Sequence, residues 1–133
     1  MLFRSVKMFL FEASGKEFQD YVFKSLKRKY PPKDGWEVFP QKQVRIQGIV
    51  CKADFLIVNE KRHKKTVVEA KDKKSLTTSD LRQIKEYKRQ AKADEAIFYL
   101  AKDTNVPSGI KEAIRKSSGV GIQETRYSST SLW

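Results

Sequence analysis

The sequence predicts an α/β domain, a mixed central sheet flanked by helices with its core elements in the order αβββαβ. Three observations carry this. Phe18, Tyr21, Val22, Ser25 and Leu26 form one face at helical spacing, and segments rich in strand formers follow them. Two of those segments, residues 66–71 (TVVEAK) and 96–101 (AIFYLA), are separated by a helical pattern, which suits a crossover between parallel strands. Finally, 133 residues with 39% hydrophobic content suffice to bury one core.

The first helix is expected over residues 15–29, and Pro31-Pro32 with Asp34-Gly35 ends it and turns the chain. Residues 36–44 read as a strand, kinked at Pro40. Residues 53–58 form a second strand, and the polar connector 59–65 (NEKRHKK) makes a hairpin into the third strand, 66–71. Thr77 and Asp80 are spaced as a capping box before a helix that runs to about residue 92, with Leu81, Ile84, Tyr87 and Ala91 facing inward. Residues 96–101 are apolar throughout, as in a central strand buried on both faces. Pro107 opens a further helix to about residue 116, and residues 120–123 form an edge strand. The whole chain, 1–133, reads as a single domain with a core over about 15–125 and a loose tail at 126–133.

No apolar run approaches the roughly 20 residues of a membrane span, no secretory cleavage pattern follows the apolar opening segment, and Cys51 is alone. These features predict a soluble cytoplasmic protein with no membrane partner. The charge is the first functional clue: 28 Lys and Arg against 16 Asp and Glu give +12. Such an excess steers polyanions toward the surface, and nucleic acid is the commonest of them.

Glu69 and Lys71, two apart on a strand, project from the same face together with Val67. Asp54 opens the apolar stretch of the preceding strand, and a hairpin through residues 59–65 would bring it opposite them, in a register that sequence leaves open. Two carboxylates beside a lysine suit phosphodiester hydrolysis. Carboxylate oxygens hold Mg²⁺, which keeps waters and phosphate oxygens in its other positions, and the lysine supports developing negative charge. His63 lacks a partner at ligand spacing, and Cys51 reads as a small buried hydrophobe.

With Ala53-Asp54, a gap of fourteen residues and then Glu69-Ala70-Lys71, the sequence resembles the PD-(D/E)XK nuclease superfamily, the restriction-endonuclease-like fold, over about residues 15–101. Ala53 stands where the name-giving proline would be. The resemblance implies Asp54 and Glu69 as metal ligands with Ala70 as a further one through its carbonyl, and Lys71 as the catalytic lysine. It implies Mg²⁺ as cofactor, with Mn²⁺ as a substitute. Glu17 matches an acidic residue that many members carry on the first helix; it also reads as an acid compensating the helix dipole. Gln83 and Tyr87 resemble the Gln-x-x-x-Tyr pair of RecB-type nucleases and share a helix face.

The expected activity is therefore Mg²⁺-dependent DNA endonuclease action. With so little chain beyond the core, structure-specific cutting like that of archaeal-type junction resolvases is expected. Lys61, Arg62, Lys64 and Lys65 at the hairpin tip, with Lys73, Lys74 and Tyr87, are the expected nucleic-acid contacts near the site. Cutting both strands favours a homodimer, with residues 2–11 as its interface. The alternative is a catalytically silent nucleic-acid-binding module of the same fold.

Overall fold

The chain is described from a computed structural model, which covers the backbone of residues 2–40 and 52–128 and, in the first helix, side chains from Gly15 onward. The elements are α1 (Leu2–Lys29), a 3-10 turn (Pro32–Asp34), β1 (Trp36–Pro40), β2 (Phe55–Asn59), β3 (Lys64–Lys71), α2 (Thr78–Ala91), β4 (Glu95–Leu100), α3 (Ser108–Lys116) and β5 (Val120–Glu124). The expected α/β class holds. The five strands lie in the order β1-β2-β3-β4-β5. β1/β2 and β2/β3 are antiparallel, and β3/β4 and β4/β5 are parallel.

α1 begins thirteen residues before the expected start at residue 15. Residues 2–14 contain neither Gly nor Pro, and Gly15 costs a helix only about 1 kcal/mol relative to Ala. The side chains of residues 2–11, the expected dimer interface, lie outside the described residues, as do residues 41–51 with Cys51 and the last residues, 129–133.

Strand alternation divides the core into two layers. Phe55, Ile57, Val68 and Tyr99 face α1 and pack against Phe18, Val22 and Leu26, the stripe visible in the sequence. Leu56, Val67, Phe98 and Leu100 point to the other side and meet Leu81, Ile84 and Ala91 of α2 and Ile114 of α3. The middle strands are thus covered on both faces, as continuous apolar runs require. Each fully buried side chain of this kind contributes roughly 1.5–3 kcal/mol.

Asn59, fully buried at the end of β2, fixes the hairpin. Its Nδ2 donates to the carbonyl of Asp34 at 3.1 Å, and its Oδ1 accepts from the Arg62 N–H at 3.1 Å. At the other end of the chain, the Lys102 N–H donates to the Tyr127 carbonyl at 2.7 Å, and the Tyr127 ring packs 5.1 Å from Phe18. Tyr127, inside the segment expected to be loose, is therefore anchored on α1.

Candidate active site

The hairpin register brings the expected trio together. Phe55 pairs with Val68, so Asp54 lies opposite Glu69 at the carboxyl end of β3. Two backbone-to-carboxylate hydrogen bonds lock the pair: the Asp54 N–H donates to Glu69 Oε1, and the Ala70 N–H donates to Asp54 Oδ2, each at 2.8 Å. Lys71 Nζ lies 3.6 Å from Glu69 Oε2. Ala70 enters this cluster through its N–H, which orients Asp54.

Two further residues complete the site. Lys71 Nζ is also 3.5 Å from Asp80 Oδ1, and Lys73 Nζ is 2.8 Å from Asp80 Oδ2. Asp80 closes the capping box as well, accepting from the Thr77 N–H at 2.9 Å while its own N–H donates to Thr77 Oγ1 at 3.1 Å. The sequence shows the cap but not this second use, which depends on where the start of α2 docks. On the opposite layer, Gln19 Nε2 donates to Asp54 Oδ1 at 3.1 Å. No sequence signal marks Gln19, because its part depends on how α1 packs.

The site therefore sits at one end of the sheet, held from α1 through Gln19 and from α2 through Asp80. Its electrostatics are uneven. Burial raises the Glu69 pKa to about 7, helped by the charge of Asp54 and resisted by the Asp54 N–H and Lys71. Burial also raises Asp54, against the Ala70 N–H and Lys71. Burial alone would raise Asp80 too, but Lys73, Thr77 and Lys71 together hold it below the usual carboxylate range. Two crowded, desolvated carboxylates next to a well-matched third is the pattern expected where a cation is to be received.

The donor chemistry fits such a cation. Asp54 and Glu69 offer four hard oxygens, each with a spare lone pair beyond its present hydrogen bond. Mg²⁺ takes one or two carboxylates and keeps several waters, so the pair suffices. Among the described residues no group of three or more His, Cys, Asp or Glu side chains gathers at metal-holding spacing.

The remaining expected site residues fall in different places. Glu17 is exposed, and its Oε2 accepts from Tyr127 Oη at 3.4 Å rather than meeting the trio. Gln83 is exposed on α2, one turn beyond Asp80, without a hydrogen bond to the trio. Tyr87 packs against the core beneath α2. Lys73 and Lys74 line a cleft of about 300 Å³ together with Asp72, Asp103, Thr104 and Tyr127. This cleft opens at the carboxyl ends of β3 and β4, where open α/β sheets usually bind ligands.

The hairpin-tip cations require a correction. Lys61, Arg62, Lys64 and Lys65 were expected near the site, but the tip closes the opposite end of β2 and β3. From Lys64 to Glu69 is five strand steps, roughly 17 Å. A hairpin whose carboxylates lie at its open end must carry its tip away from them. Arg62 instead stacks over the Trp36 ring, 5.8 Å from the centroid.

Among the described residues no helix is long and apolar enough to cross a membrane. Comparisons with known protein families, with curated proteins and with solved structures find no match to this chain.

Proposed function

We propose that the protein is a Mg²⁺-dependent phosphodiesterase that acts on DNA as an endonuclease. The observation that carries this reading is the Asp54–Glu69 pair, locked carboxylate to backbone across two strands with Lys71 beside it. A bound Mg²⁺ would acidify a water and neutralise charge on the phosphate.

The chain's own residues supply the rest. Asp54 and Glu69 would hold the cation, and Gln19 and the Ala70 N–H orient the Asp54 carboxylate. Asp80 holds Lys71 in place even when Glu69 is engaged elsewhere, leaving the ammonium to donate to a non-bridging phosphate oxygen. Water adds to phosphorus, a bridging P–O bond breaks, and the departing oxygen takes up a proton.

One observation favours the second reading, a silent nucleic-acid-binding module. Each oxygen of the Asp54–Glu69 pair already faces a protein donor, as in a finished structural network. Cleavage of plasmid, duplex and branched DNA with and without Mg²⁺ separates the two. The wild type should cut only with the metal. Asp54→Ala, Glu69→Ala and Lys71→Ala should each lose at least about a hundredfold in rate, the scale of losing one group that stabilises the transition state. Equal rates in all four proteins would sink the enzyme reading.

A further inference from the structure

The hairpin-tip cations, expected at the catalytic end, lie at the opposite pole, and further positive charge gathers there. Each helix ends in cations: Lys27, Arg28 and Lys29 in α1, Lys88 and Arg89 in α2, and Arg115 and Lys116 in α3. These three ends lie at the same pole as the hairpin tip. Tyr30, just after α1, packs edge-on 4.9 Å from Trp36, which pairs with Asn59 at the base of the tip. The loop after α2 is joined to the start of β3 by the Asp94 N–H on the Lys65 carbonyl and the Lys65 N–H on Asp94 Oδ2, both at 2.9 Å. The turn after α3 is joined to β4 by the Ala96 N–H on the Gly119 carbonyl at 2.7 Å.

Between the ends of α2 and α3 lies a cleft of about 440 Å³ lined by five cations, Lys85, Lys88, Arg89, Lys92 and Lys116, and by no acid. Lys85, Lys88 and Arg89 recur at i, i+3 and i+4, so they form one stripe along α2, and Lys92 is its left-handed C-cap. Arg89 is paired with Glu86 and Lys116 with Glu112, whereas Lys85, Lys88 and Lys92 stand in no ion pair among the described residues. Gly119, at φ +70°, lies beside Lys88 in the turn after α3. A Cβ there would come within 2.6 Å of the Asp94 carbonyl and 2.9 Å of Lys88 Cε, so the backbone calls for glycine at this turn. Compensating a helix C-terminus does not account for this concentration. The macrodipole amounts to roughly half a negative charge, and α2 brings three cations to its last two turns with Lys92 as a fourth at its C-cap.

We propose that this cleft is a second, non-catalytic binding site for the phosphate backbone of double-helical nucleic acid. A phosphate ridge can enter a cleft walled by two helix ends, which a flat lipid surface cannot. The lining also lacks the aromatic rings on which single-stranded bases stack. Along the axis of α2 these cations lie from roughly 8 Å (Lys85) to roughly 18 Å (Lys92) beyond Asp80, so a duplex seated at the far end of the helix leaves the carboxylates free. The proposal stands whether or not the carboxylates cut.

The test is binding of a short DNA duplex to the full chain without metal, followed against salt. The comparison is between wild type and the combined variant Lys85→Gln, Lys88→Gln, Lys92→Asn, Asn being suited to the left-handed backbone of Lys92. The slope of log affinity against log salt should become shallower by about two to three, the loss of three phosphate contacts. The combined Lys→Arg variant should keep the wild-type slope. An unchanged slope in the neutral variant, a lowered slope in the Arg variant, or equal binding to anionic lipid vesicles would each overturn the proposal. Should the neutral variant unfold, labelling of wild-type lysines decides the matter. Lys85, Lys88 and Lys92 should be shielded when the duplex is added, and no shielding would refute the site.

Discussion

Glu69 and Asp80 flank the same lysine, yet their surroundings push them in opposite directions, and that difference is measurable. Glu69 is raised from 4.5 to about 7, chiefly by burial. Between those values the folded state holds a proton that the unfolded chain has released, so stability falls as pH rises and levels off above about 7. Asp80 is lowered, so the stabilisation it brings is complete above its ordinary value of 3.8 and is lost as pH falls through its folded value. From these two groups alone, the metal-free protein should be most stable near about pH 4 to 5. Thermal melts in a chelator should show Glu69→Gln flattening the limb above that maximum and Asp80→Asn flattening the limb below it. A wild-type curve without the upper limb would mean that Glu69 is already ionised in the folded chain. Mg²⁺ should lift stability most at neutral pH, where the pair is charged and crowded.

Among the elements, α2 joins fold to site through its first turn. Thr77 and Asp80 close the cap, and Asp80 also holds Lys71 and Lys73. Thr77→Ala should cost about 1 kcal/mol, as an ordinary cap. Asp80→Ala should cost more, because it leaves the Lys73 ammonium and the Thr77 N–H without their acceptor and Lys71 with Glu69 alone. The double variant should fall short of the sum, since both changes break one motif, and denaturant unfolding of the four proteins measures the shortfall. This element also shows what was legible in the sequence. The capping box and the stripe of Leu81, Ile84 and Ala91 depend on local spacing, and both stand as expected. Glu69 and Lys71 shared a face by strand period alone. Asp54 needed the hairpin register, Asp80 the docking of α2 and Gln19 the packing of α1; each is a distance between elements, which no local pattern encodes. The displaced hairpin tip is a different case. Asp54 lies five residues before Asn59, a count that already sets the tip well away from the carboxylates.

For the whole molecule, a net charge of +12 says only that a polyanion is attracted, whereas the fold decides where. Antiparallel β2 and β3 set the carboxylates at one end and the hairpin cations at the other, and three helices ending on the hairpin side add theirs. In the proposed reading attraction and chemistry are thereby separated in space, so they should be separable by mutation. Asp54→Asn with Glu69→Gln removes both charges and keeps an oxygen acceptor for the Ala70 and Asp54 N–H groups, while the new Asn amide nitrogen faces Gln19, whose amide can turn its oxygen toward it. Losing two negative charges takes the formal net charge from +12 to +14. Duplex binding without metal, followed by fluorescence anisotropy, should then be as tight as in the wild type or slightly tighter at low salt, with the same salt slope. Mg²⁺-dependent cleavage by the same protein should fall at least about a hundredfold. If affinity fell together with cleavage, the carboxylate end would itself be the main binding surface, and the division of the molecule into a gripping pole and a cutting pole would be wrong.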